Sequence, residues 1–393
     1  MSADPILILS AMRTPMGAFQ GALAPVSAPQ LGTAAIRGAI AAAGVAPADV
    51  DEVIMGCVLP AGLGQAPARQ AALGAGLPNT VPATTLNKMC GSAMRAIMCG
   101  ADQIAAGSAS IVVAGGLESM TNAPYLLPKA RAGYRMGHQE VLDHMFYDGL
   151  QSPWDGKLMG VFAEATAAEY GFSRAEQDAF ATASVRRAQA AVRAGTFSAE
   201  IAPVIAATRK GETKIAEDET PHTLDIGKIP SLKAAFKKDG TVTAASSSGI
   251  ADGAAALVLS SSSSAAARGL VPLARIVGHA SFAREPEWFT LAPIGAILKL
   301  LARIGWSAAD VDLYEINEAF AVVTMAAMRD LKLDPEKVNV NGGACALGHP
   351  IGATGARLLA TLLHALRARG KRRGIASLCI GGGEATAIAV ELV

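Results

Sequence analysis

Ile6-Leu7-Ile8-Leu9 is an apolar run that reads as a first strand almost at the N-terminus. Residues 30–54 then place Leu31, Ala35, Ile36 and Ile40 at helical spacing, followed by Ala43-Gly44-Val45-Ala46-Pro47-Ala48-Asp49-Val50-Asp51. The same order returns late in the chain, where Ile297, Leu300, Leu301 and Ile304 precede Gly305-Trp306-Ser307-Ala308-Ala309-Asp310-Val311-Asp312. A second pair of segments also matches: Ser110-Ile111-Val112-Val113-Ala114-Gly115-Gly116-Leu117-Glu118 resembles Ala376-Ser377-Leu378-Cys379-Ile380-Gly381-Gly382-Gly383-Glu384. Element order repeats along with residue identity, which predicts a duplicated α/β domain. Each half reads strand, helix, strand, helix, strand, the pattern of a mostly parallel sheet covered by helices on both faces.

The texture changes between Thr121 and Gly249, where Lys, Arg, His, Pro and Gly increase and one strongly periodic helix stands out. That helix starts at Ser173, has Glu176 in position for a capping box, and runs through Phe180, Val185 and Val192 to Gly195. The segment is expected to be an insertion riding on the first half. The predicted division is therefore 1–120 as an N-terminal core half completed by about 250–270, 121–249 as an inserted loop domain, and 271–393 as the C-terminal half. Ser260–Ser264 reads as a polar linker after a strand at Ala254–Leu259.

With 393 residues, the chain is long enough for two or three domains. Charged residues make up only 17%, which excludes a disordered polyelectrolyte. The net charge of +1 supplies no global field for nucleic acid or an anionic membrane, so a partner has to be recognised by local chemistry. The basic run Arg367, Arg369, Lys371, Arg372 and Arg373 falls between a helix and a strand, where cations are ordinary. Five cysteines form neither a disulfide framework nor a metal spacing, which points to a reducing compartment and no metal site. No apolar run reaches the roughly 18 residues of a membrane span. With no targeting signal visible, the expected location is cytoplasmic.

Four places carry candidate chemistry. Cys90, in Asn87-Lys88-Met89-Cys90-Gly91-Ser92, precedes a helix with Met94, Ile97, Ala101 and Ile104 on one face, and a thiol at a helix N-terminus is biased toward thiolate. His349 lies in the glycine-rich stretch Asn341-Gly342-Gly343 to Gly355, again before a long helix. A phosphate loop is disfavoured there, because no Gly-Lys-Ser/Thr follows. Cys379 ends a late strand just before Gly381-Gly382-Gly383, whose backbone N–H groups suit an oxyanion site. Glu315-Ile316-Asn317-Glu318-Ala319-Phe320 is either a solvated charged turn or a place where Asn317 holds a water or a carbonyl oxygen.

Asn-Lys-Met-Cys-Gly-Ser, Asn-Glu-Ala-Phe, Asn-Gly-Gly-Ala-x5-His-Pro-Ile-Gly-Ala-Thr-Gly and Cys-Ile-Gly-Gly-Gly, in this order and spacing, resemble the thiolases over essentially the whole chain. The resemblance implies a five-layered α/β/α/β/α core of two βαβαβαββ halves, with the inserted loop domain binding coenzyme A. It implies acyl transfer between coenzyme A thioesters: Cys90 carries the acyl group, His349 activates it, and Cys379 is the acid/base at the substrate carbon. His349 with a water on Asn317 would form one oxyanion site, and the N–H groups of Cys90 and Gly381 the other. Ser248 matches a serine at the pantetheine arm, with Met159, Ala319 and Phe320 nearby. His222 stands where an Arg near the adenine is usual. Leu158 replaces a His common in short-chain biosynthetic members, and with Trp288 and Phe289 it would make the acyl pocket more apolar. Acyl-CoA and coenzyme A are then partners and substrates, with no permanently bound cofactor, and the assembly is expected to be a homotetramer or homodimer. A decarboxylating ketoacyl synthase or a non-catalytic acyl-CoA scaffold are the alternatives.

Overall fold

In the computed structural model, which describes residues 4–208 and 211–393, the repeat is visible element by element. The N-terminal half runs β1 (Ile6–Arg13), α1 (Ala28–Ala43), β2 (Glu52–Gly56), α2 (Pro67–Gly74), β3 (Ala83–Leu86), α3 (Ser92–Ala105) and β4 (Ile111–Ser119). After the insertion, with helices α4 (Met159–Tyr170) and α5 (Arg174–Arg193), it closes with β5 (Ala251–Ser261). The C-terminal half runs β6 (Ala274–Ala283), α6 (Ala292–Ile304), β7 (Leu313–Ile316), α7 (Ala321–Leu331), α8 (Thr354–Ala368), β8 (Arg373–Ile380) and β9 (Glu384–Leu392). The counterpart of β3 is reduced to a single parallel bridge between Tyr314 and Val338.

Local chemistry explains the matching boundaries. α1 and α6 both end on a left-handed glycine, Gly44 (φ 65°) and Gly305 (φ 70°), the conformation that stops a helix at no side-chain cost. Asp51 accepts the backbone N–H groups of Ser110 (2.7 Å) and Ile111 (2.9 Å), and Asp312 accepts those of Arg372 (3.0 Å) and Arg373 (2.9 Å). This aspartate pair corrects the expected register of the second repeat. Ile111 corresponds to Arg373, so Cys379 is equivalent to Leu117 rather than to Val113. The shared glycines attract the sequence match, whereas the aspartate anchors fix the strands in space.

The sheet order is β3-β2-β4-β5-β1-β6-β9-β8-β7. Only β3-β2-β4 and β7-β8 are parallel; β4-β5-β1 and β8-β9-β6 are antiparallel. The expectation of a mostly parallel sheet is thus corrected to a mixed one, because each half ends by turning back on itself. The halves join through the short pairing of Leu7 and Ile8 with Arg275 and Ala274.

The five layers are present. Leu31 and Ile36 of α1 pack with Val113 and Leu117 on one outer face, and Ile297 and Leu300 of α6 pack with Ile375 on the other. Between the half-sheets, Met94 and Ile97 of α3 meet Leu358, Leu359 and Leu362 of α8. Burying each of these side chains contributes about 1.5–3 kcal/mol. Two glycines let the middle layer close. A Cβ on Gly116 would lie 2.1 Å from the Gly352 oxygen, and one on Gly355 would lie 2.5 Å from the Met94 nitrogen. The N-termini of α3 and α8 therefore approach each other at the centre of the molecule.

In the insertion, α5 begins as expected, with Ser173 and Glu176 in a capping box. α4 was not anticipated: Met159, Val161, Phe162, Ala163 and Ala167 spread around the helix, leaving no one-sided period to read. Ser260–Ser264 is no linker, since Ser260 and Ser261 finish β5 and Ser262–Ala267 forms a short helix capped by Ser261. Among the described residues, no helix is long and apolar enough to cross a membrane.

Candidate active site

Cys90 sits in a tight turn between β3 and α3. Met89 takes a left-handed conformation (φ 48°), and Ser92 Oγ accepts the Lys88 N–H at 2.8 Å while donating to the Met89 carbonyl at 2.6 Å. Gly91 lacks the Cβ that would lie 2.3 Å from Ile380 Cδ1, so the turn presses directly on the end of β8. The half-buried thiol faces the backbone N–H groups of Gly381 and of Cys90 itself. These donors favour a thiolate, yet burial outweighs them and the nearby Glu118 carboxyl adds to it, pushing Cys90 up to about 11. The thiolate expected at this helix start is therefore not the resting form.

His349 is buried in the matching loop before α8. The Thr354 hydroxyl donates to the Pro350 carbonyl (2.9 Å), so toward His349 Nδ1 at 2.6 Å it acts as acceptor. This assigns the ring proton to Nδ1 and leaves a lone pair on Nε2. Burial, and then the Arg357 charge, lower His349 to about 3, so the imidazole is neutral at pH 7. Asn317 Nδ2 stands 3.5 Å from Nε2, and Asn317 Oδ1 is buried without a protein partner among the described residues.

The Glu315–Phe320 segment is buried throughout, which removes the solvated-turn alternative. Glu318 accepts from Ser184 Oγ (2.7 Å), Asn339 Nδ2 (2.8 Å) and the Cys345 N–H (3.1 Å), while Glu315 pairs with Arg357 at 3.4 Å. Cys379, fully buried one residue from the end of β8, is raised well above the ordinary thiol range by burial and then by Cys90. The turn after it relies on glycine: Gly383 (φ 89°) passes so close to Arg284 that a Cβ would lie 2.3 Å from its carbonyl oxygen.

A cavity of about 320 Å³ opens onto this centre, lined by Leu158, Met159, Ser248, Ala319, Phe320 and His349 among others. A second, of about 250 Å³, is lined by Met89, Trp154, Gly381 and Gly382 among others and shares Met159 with the first. Phe289 lines neither: it packs behind Phe320, with ring centroids 6.5 Å apart, in the cluster that holds Cys379 and, partly buried, Trp288. His222 also lies apart from both cavities, half-exposed and 3.0 Å from Glu217. Among the described residues, no group of three His, Cys, Asp or Glu side chains could hold a metal ion.

Two facing helix starts, one with a thiol and one with a neutral imidazole, lie beside a second thiol and a glycine turn. The "Thiolase, N-terminal domain" family matches residues 6–263, and "Thiolase, C-terminal domain" matches residues 270–392. The chain belongs to the thiolase family. It is 51% identical over 387 residues to the acetyl-CoA acetyltransferase of Escherichia coli, covering 98% of each, and 50% identical over 388 residues to that of Chromobacterium violaceum. The latter match covers 98% of this chain and 99% of the relative. The crystal structure of the Bacillus anthracis acetyl-CoA acetyltransferase superposes with a TM-score of 0.97 at 43% identity, over 100% of this chain and 99% of that one.

Sequence reasoning missed two residues of this thiolase. Thr354 orients His349, and its only trace was its place in the Gly-Ala-Thr-Gly motif. Glu118 accepts the N–H groups of Val58 (2.9 Å), Leu59 (3.1 Å) and Gly352 (2.8 Å), tying β4 to the histidine loop; burial pushes it up to about 7. It was visible only as the end of a repeated segment.

Proposed function

We propose that the protein transfers acyl groups between coenzyme A thioesters by a ping-pong route, as an acetyl-CoA acetyltransferase or a broader 3-ketoacyl-CoA thiolase. The observation that carries this reading is the meeting of the α3 and α8 starts, with a protonated Cys90 just before one and a neutral His349, its Nε2 lone pair free to accept a proton, just before the other. Nε2 takes the Cys90 proton as Sγ attacks the thioester carbonyl, and Cys379 gives its own proton to the departing coenzyme A thiolate, leaving acyl-Cys90, a protonated His349 and a Cys379 thiolate. The Cys90 and Gly381 N–H groups hold the carbonyl oxygen. In condensation, that Cys379 thiolate removes an α-proton from the second acetyl-CoA, and the carbanion attacks acyl-Cys90 to expel its thiolate, which takes its proton back from His349. Thiolysis is the reverse. The high proton affinity of Cys379 suits this step, because its thiolate is a base strong enough for a carbon acid.

The Nε2–H of the protonated His349 and a water donating to Asn317 Oδ1 stabilise the enolate oxygen, and the burial of that Oδ1 without a protein partner among the described residues supports the role. Ser248 and the 320 Å³ cavity receive the pantetheine arm, and coenzyme A is a diffusing substrate rather than a resident cofactor. A ketoacyl synthase would not need the thiol at 379.

Thiolytic kcat/KM with free coenzyme A, measured on 3-ketoacyl substrates of increasing length, tests the reading. Cys90→Ala should abolish turnover, a loss of about 10⁴-fold or more. Well-folded wild type without thiolysis at any length would overturn it.

A further inference from the structure

Beside the reaction centre, an ion pair between Lys88 and Glu384 crosses from one half of the molecule to the other. Lys88 lies two residues before Cys90, and Glu384 directly follows the glycine turn that begins at Gly381. The two side chains are 25% and 37% exposed, a setting in which an ion pair adds little to stability. Their location matters in another way. The site formed by the N–H groups of Cys90 and Gly381 draws one donor from each half, so its width depends on how the halves meet at this point.

The glycine turn is tied to its own half through the Arg284 N–H, which donates to the Gly383 carbonyl at 2.8 Å. Across the boundary, Ile380 packs on Gly91 and Lys88 pairs with Glu384. The apolar contact sets how near the two chains come but lets them slide, whereas a charge-assisted hydrogen bond joins one point on each. We infer that the Lys88–Glu384 pair is a positioning device that fixes the separation of the Cys90 and Gly381 N–H donors, so that both reach the same substrate oxygen. The pair itself touches no reacting atom.

This inference rests on the acyl-transfer reading. Its test sets the kcat of thiolysis against the KM for coenzyme A, which depends on the binding cavity and on neither donor. The variants are Lys88→Met, Glu384→Gln, the double substitution and the reversed pair Lys88→Glu/Glu384→Lys. Each single change should lower kcat about tenfold, less than the ~10²–10³ lost when a donor is removed outright. KM for coenzyme A should stay within about twofold, since Ser248 and its cavity are untouched. The double variant should be no slower than the slower single, and the reversed pair should regain most of the loss.

Singles with wild-type kcat would overturn the inference while leaving the acyl-transfer reading intact. Losses that multiply in the double variant would do the same, as would a KM for coenzyme A that rises in step with the fall in kcat. A wild-type protein without thiolysis would overturn both.

Discussion

In the N-terminal half the loop before α3 carries Cys90, and in the C-terminal half the loop before α8 carries His349, although the two junctions are the same structural element. The ends of β4 and β8 diverge in a similar way. Leu117 points into the outer core of its half, and the equivalent Cys379 points toward the reaction centre. After β4 the chain leaves for the long insertion, whereas after β8 it turns at once through Gly381-Gly382-Gly383 into β9. Duplication thus supplied two converging helix starts and two strand ends. Divergence put a thiol on one start and an imidazole on the other, and freed backbone donors only where the connection stayed short.

The comparison is sharpest at positions 117 and 379. Cys379→Ser swaps a thiol for a hydroxyl that is a far weaker acid, and should lower condensation and thiolysis by about 10³-fold with little change in melting temperature. Leu117→Ala removes packed methyl groups next to Gly32 and should cost about 2–5 kcal/mol of stability while kcat per folded molecule stays near wild type. Denaturation midpoints measured with kcat separate the two. Catalysis lost at 117, or stability lost alone at 379, would break the assignment of chemistry to one half.

A second prediction concerns how the two armed helix starts share a proton. Cys90 at about 11 and His349 at about 3 make the resting pair uncharged between these limits. A raised thiol pKa means less thiolate at any given pH, so iodoacetamide alkylation at pH 7 should run about a hundredfold slower than for a free cysteine near 8.5–9. The rate should climb about tenfold per pH unit toward 11. Fast alkylation with an inflection between pH 4 and 8 would instead identify a thiolate–imidazolium pair.

Much of this was legible in the chain, for physical reasons. Helix-stopping Gly44 and Gly305, the anchors Asp51 and Asp312, and the motif around each candidate residue are local, so they survive in a one-dimensional reading. Of the four candidates, far apart in the sequence, Asn317 meets His349 at 3.5 Å and Cys379 lies near enough to Cys90 to be perturbed by it. The sign of the Cys90 perturbation was not legible, because helix position is local whereas desolvation is set by residues from both halves. The register of the second repeat was lost for the opposite reason, since chemically similar glycines recur at non-equivalent positions. Thr354 and Glu118 act by bonding to a neighbour's ring or backbone, and partners of that kind appear only once the loops are in place.

The smallest expected effect lies where the insertion meets the C-terminal half. Leu158 comes from the inserted segment and lines the same cavity as Ala319 and Phe320, so the wall of the cavity proposed to receive substrate is assembled from both. Leu158→His would put a polar ring against that apolar wall. The polar side chain should disfavour longer acyl chains, lowering the ratio of kcat/KM for medium-length over short substrates by about three- to tenfold, the range that one or two lost apolar contacts produce. Short-chain turnover should hold, because the change leaves Cys90, His349 and Cys379 in place. The length profile of thiolysis checks it, and an unchanged profile would move control of chain length to the second cavity, where Trp154 and Met159 stand beside Gly381 and Gly382.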